Sequence, residues 1–166
     1  MNNLFEKDLN YSLDSADDKI FNEVYYKKFP HLKRIETITD IAQQKKGIDK
    51  ILHLHCGKKI LIDEKKRRKD YGDILIEEYS DMDKKKVGWI SRDKYTDYIV
   101  YFIMPSRKVY FLPFVLMQLA WVENYETWRN KYGRKIADNK TYKTSNIPVP
   151  LKVLMESLIV QMKSTF

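Results

Sequence analysis

The sequence predicts an α+β fold (α/β in its layering): a central mixed sheet of about four to five strands flanked by helices. Three observations lead to it. Apolar residues recur at helical spacing near the start of the chain and again in its last third. Between these stretches lie short runs rich in Ile, Leu, Val and Tyr, separated by Gly, Pro and Asp. Only five Gly and five Pro occur in 166 residues, with no repeat and no low-complexity linker, so residues 1–166 read as one domain.

The elements follow in order. Ser15 can cap a first helix, Asp17 and Asp18 suit its first turn, and Ile20, Val24 and Tyr25 supply its apolar side. Lys27 and Lys28 suit its end, and Pro30 stops it; Glu23 falls inside, beside the apolar stripe. Strands are expected over 48–54 and 59–65, and the four residues His55-Cys56-Gly57-Lys58 between them suit a hairpin. A third strand is expected over 73–79, and two more over 98–104 and 108–111, turning at Pro105-Ser106-Arg107. A helix over 112–128 has Pro113 near its first turn, and Pro150 opens a last helix over 151–162.

Composition narrows the function classes. Lys and Arg number 31 against 23 acids, a net charge of +8, which favours a polyanionic partner such as nucleic acid. The single cysteine, Cys56, leaves no internal disulfide and suits a reducing cytoplasm. The first fifteen residues are too polar for a signal peptide, and the apolar run 109–122 is broken by Pro113 and Gln118, so a cytoplasmic location without a membrane partner is expected. His53, His55 and Cys56 lack the second ligand pair of a zinc site and read as hairpin residues.

The stretch ILIDEKKRRK sets an apolar strand against two acids and then five basic residues, Lys65 to Lys69. Side chains alternate along a strand, so Asp63 and Lys65 share one face, and Glu64 and Lys66 the other. If Asp49 pairs opposite position 63 or 65, then Asp49, Asp63 and Lys65 converge; a slip of one residue brings Asp49 beside Glu64 and Lys66 instead. The even spacing favours Asp63 and Lys65. Two adjacent carboxylates call for a hard divalent cation such as Mg²⁺ or Mn²⁺, and a nearby lysine can orient or help deprotonate an attacking water. The basic tract Lys66, Arg67, Arg68 and Lys69 would hold the rest of a polyanion.

This ordered set resembles the PD-(D/E)XK nuclease superfamily, the restriction-endonuclease-like fold, in its small phage or mobile-element style. Gly47-Ile48-Asp49 would supply the first acid, with Ile48 in place of the proline, and Asp63-Glu64-Lys65 the acid-any-lysine triplet. By that similarity Asp49 and Asp63 would bind Mg²⁺ or Mn²⁺, the Glu64 carbonyl would add a ligand, Lys65 would act on the water, and Glu23 would support a metal through water. The resemblance implies a DNA endonuclease acting in the cytoplasm (of the host cell, if phage-encoded) and pairing as a homodimer to cut both strands. The alternative is a non-catalytic nucleic-acid-binding module, or an inhibitor protein, on the same fold. Taken singly, Asp49 also reads as a strand-edge acid, Glu23 as a solvated helix residue, and Lys65 to Lys69 as a solvated face. Tyr71, Asp73 and Glu77 can line the site, with structural roles favoured.

Overall fold

The computed structural model describes residues 15–163, with side chains from Asp18 onward. The chain opens with helix α1 (Ser15–Lys28), strand β1 (Leu32–Thr37) and the one-turn helix α2 (Ile41–Lys45). Strands β2 (Lys50–Leu54), β3 (Lys59–Arg67), β4 (Asp73–Asp81) and β5 (Lys86–Val87) follow, then a 3₁₀ turn at Trp89–Ser91. Strands β6 (Tyr98–Ile103) and β7 (Lys108–Pro113) lead into helix α3 (Phe114–Tyr132), and β8 (Lys135–Asp138), β9 (Lys143–Pro150) and helix α4 (Leu151–Gln161) complete it. Gly57, with φ +88°, turns the β2–β3 hairpin as the sequence predicts.

These strands form two sheets. The first is five-stranded and mixed, in the order β1-β2-β3-β6-β7, with β3 and β6 parallel and its other pairs antiparallel. The second is four-stranded and antiparallel, in the order β5-β4-β9-β8. The first sheet is the middle layer. On one side α1 lays Phe21 and Tyr25 over Leu52, Ile60, Ile62, Val100 and Phe102, with Phe21 stacked on Phe102 at 3.6 Å between centroids. On the other side Ile99, Tyr101 and Ile103 join Ile74, Ile76, Ile147 and Val149 of the second sheet. Helices α3 and α4 close that side with Phe114, Met117, Trp121, Trp128, Leu154 and Leu158.

The expected α+β class and the central mixed sheet are present, with differences that have physical causes. Strand 73–79 does not join the central sheet; it is the middle of the second sheet, paired with β9. The sequence KTSNIPVP of β9 carries two prolines that argue against a strand. They are tolerated because β8 pairs only as far as Asn146, so Pro148 and Pro150 lie where β9 is paired on one side alone. Helix α1 is rotated from its expected face: Phe21 and Tyr25 are buried, whereas Ile20 is half exposed, because stacking on Phe102 sets its orientation. The expected cap of Ser15 and the placement of Asp17 lie outside the described side chains. Among the described residues no helix is long and apolar enough to cross a membrane.

Candidate functional site

Hairpin register decides what meets what. Lys50 pairs with Ile62 and Ile51 with Leu61, which sets Asp49, one residue before β2, across from Asp63. The Asp49 N–H donates to the Ile62 carbonyl at 2.8 Å, which ties Asp49 to this end of β3. On the other flank the parallel pairing places Asp63, Lys65 and Arg67 beside Ile99, Tyr101 and Ile103, which face the second sheet. Ile62, Glu64 and Lys66 lie beside Tyr98, Val100 and Phe102, which face α1. One strand therefore carries two separate polar systems, one on each face.

On the inner face, Asp49, Asp63 and Lys65 come together. Asp63 is 1% exposed, and its two carboxylate oxygens receive the ammonium groups of Lys65 and Lys94, one each. One Asp49 oxygen accepts the Glu64 N–H at 2.8 Å. A cleft of about 400 Å³ opens beside this group, lined by Lys65, Lys66, Leu75, Glu77, Trp89, Arg92 and Lys94 among others. Trp89 and Arg92 reach it because Gly88 lies flat against β4: a Cβ there would meet the Glu77 carbonyl oxygen at 1.9 Å. Opposite Asn146, β4 takes Glu77, and the next residue, Glu78, is the extra one of a bulge.

The charges settle unequally. Burial pushes the Asp49 carboxyl up, and neighbouring Asp63 pushes it further, with Lys65 and Lys94 opposing. Burial also acts on Asp63, but the two ammonium groups outweigh it and hold its carboxyl below the usual range. Burial lowers Lys65, yet Asp63 and Asp49 more than offset this, so Lys65 is a firm cation. Lys94 goes the other way, lowered by burial and by the like charge of Lys65. Across the cleft, burial raises Glu77 against the pull of Arg92, Lys65 and Lys94.

On the opposite face, Glu64 accepts the Tyr25 hydroxyl at 2.7 Å and faces Lys50 at 3.6 Å. Lys50 is 1% exposed and also donates to Asn22 at 3.0 Å and Asp18 at 3.3 Å. The Glu64 side chain thus belongs to the α1 contact, and only its main chain touches the inner group. Glu23 is exposed on α1 and is not brought to Asp49 and Asp63; Asp18 is the helix acid that reaches the sheet. The basic tract divides likewise. Lys66 lies over the Phe21 ring at 4.8 Å, and Arg67 is held by the Asp73 carboxylate and, at 2.7 Å, by its carbonyl. Arg68 and Lys69 are exposed. Tyr71 stacks under Arg67 rather than lining the cleft, and His53 pairs with Glu36 at 2.7 Å.

Among the described residues no three His, Cys, Asp or Glu side chains cluster to hold a metal ion. The donors that do converge are two hard carboxylates, Asp49 and Asp63, the kind Mg²⁺ takes while keeping most of its waters, and both Asp63 oxygens already receive an ammonium group. Sequence reasoning does not find Lys94, 31 residues from Asp63 and in a loop without a motif; its one local signal is a lysine just before the β6 run. The arrangement is a pair of buried carboxyl groups with Lys65 and Lys94 beside a cleft. Comparison of the chain with protein-family models, with curated proteins and with solved structures finds no match in any of the three.

Proposed function

We propose that this protein is a divalent-metal-dependent endonuclease of the PD-(D/E)XK, restriction-endonuclease-like kind, hydrolysing phosphodiester bonds in DNA. The observation that carries the reading is the convergence of Asp49, Asp63 and Lys65 on one sheet face beside a cleft. Asp49 and Asp63 would hold Mg²⁺ or Mn²⁺, which supplies, when bound, charge for the phosphorane and a more acidic water. Lys65 stays protonated, so its task is to orient the attacking water and neutralise developing charge rather than to remove a proton. Glu77, which lines the cleft with its carboxyl raised by burial, would take that proton. Arg92 offers a fixed cation to the substrate backbone.

A second reading, a non-catalytic nucleic-acid-binding module, is favoured by one observation: both Asp63 oxygens already carry an ammonium group. Plasmid DNA incubated with Mg²⁺ or Mn²⁺, with and without EDTA, separates the two. Nicking that EDTA abolishes, and that Asp63→Asn and Lys65→Met both lack, supports the nuclease. Retained DNA binding without cleavage in either metal leaves the binding module.

A further inference from the structure

We propose that Lys94 is a built-in counter-ion of the carboxylate pair, competing with a divalent cation for Asp63 so that the free protein binds metal weakly. This rests on the metal-dependent reading above. The Lys94 side chain is 7% exposed and ends on the Asp63 oxygen that Lys65 leaves open. Its path is built rather than incidental. The stem crosses Gly47, two residues before Asp49, where a Cβ would meet Lys94 Cδ at 2.7 Å and Nζ at 3.1 Å. The loop carrying it is tied down on both sides. Tyr95 N–H donates to the Lys46 carbonyl at 3.1 Å, and the Thr96 hydroxyl donates to the Leu61 carbonyl at 3.0 Å. Asp97 accepts the Leu61 N–H at 2.8 Å and returns its own N–H to the Leu61 carbonyl at 2.9 Å.

A lysine fixed in this way holds, beside Lys65, the second oxygen of Asp63. A metal ion must displace its ammonium group or bind against its charge, and either costs affinity. The sign of the effect distinguishes this role from a structural one. A lysine that merely props the site loosens the metal ligands when removed, whereas a competitor tightens metal binding when removed.

Mn²⁺ binding to the DNA-free protein, followed by electron paramagnetic resonance, is the test, with the urea midpoint of each variant as the check on folding. Lys94→Met should bind Mn²⁺ at least about tenfold more tightly than the wild type. Lys94→Gln, which keeps a donor for Asp63 but no charge, should follow it, and Lys94→Arg should stay weak. Equal or weaker binding in both neutral variants, with Asp63→Asn abolishing binding, overturns the counter-ion role and leaves the metal site standing. No saturable Mn²⁺ binding in the wild type or in either neutral variant overturns the metal site, and the counter-ion role with it.

Discussion

Replacing Lys65 and Lys66 in turn by methionine separates the two faces of β3, because adjacent residues point to opposite layers. Lys65 donates to Asp63, and its side chain is 30% exposed. A hydrogen bond to a charged group contributes about 1.5–3 kcal/mol, and here solvent screening and the remaining Lys94 bond reduce the loss to about 1–2 kcal/mol. Against a typical stability of about 5–15 kcal/mol, nearly every Lys65→Met molecule stays folded. On the proposed nuclease reading, its cleavage of plasmid DNA should nevertheless fall by about 100-fold or more, the scale of a positioned charge or proton donor at the reacting centre. Lys66→Met removes a cation from over the Phe21 ring, about 0.5–1 kcal/mol, and should lose far less cleavage than Lys65→Met does. Urea unfolding and a nicking time course on the same preparations read both effects. An inactive Lys66→Met beside an active Lys65→Met would refute the assignment of faces, and two active variants would remove the mechanism.

Other perturbations test other parts. Asp49 has a raised carboxyl, so its ionisation opposes folding, and the stability present below about pH 3.8 is lost as pH rises through the window above it. Asp49→Asn keeps an acceptor for the Glu64 N–H and should be as stable as the wild type or more so at pH 7 by urea unfolding, yet inactive; a large loss of stability would contradict this. Glu78 behaves oppositely: burial pushes its carboxyl up, but hydrogen bonds from Arg134, Tyr125 and Ser145 prevail and lower it. Its contribution is present above about pH 4.5 and lost as pH falls, so Glu78→Gln should cost about 2–3 kcal/mol at pH 7 and flatten the acid limb of a stability profile. Arg68→Glu should weaken DNA binding on all sequences and lower its salt slope by about 1 or more. Arg67→Ala, which frees Asp73, should instead shift the urea midpoint downward, by about 2 kcal/mol of stability.

The ion pairs that tie down α1 and the candidate site lie on different faces of the same nine residues of β3. The α1 face satisfies its charges fully: Lys50 has three oxygen partners within 3.6 Å, and Glu64 has Tyr25 and Lys50. The cleft face concentrates like charges, with Asp49 against Asp63 and Lys65 against Lys94. Such like-charge pairs beside a cleft are what the proposed function uses as its candidate site.

Much of this was legible in the sequence because it depends on local rules. Glycine and loop length set the β2–β3 hairpin, and the period of two then put Asp49, Asp63 and Lys65 on one face once the pairing was even. Helix α4 starts after Pro150 as read, whereas α3 starts at Phe114 rather than Leu112, because Leu112 and Pro113 stay in β7, paired with Ile99 and Tyr98. Other features depended on contacts far apart in the chain. Nothing near Asp73 reveals that its strand leaves the central sheet, because that is decided by pairing with β9, some 70 residues on, under two prolines that argue against a strand. Glu23 and Asp18 are both acids of α1, and only the seating of Phe21 on Phe102 turns Asp18 toward Lys50 and leaves Glu23 in solvent. Lys94 reaches Asp63 because Gly47 leaves room for its stem, a fit between two loops that no spacing within either loop encodes. Sequence periodicity assigns residues to faces, but which distant element covers each face is a matter of packing, and packing completes the site.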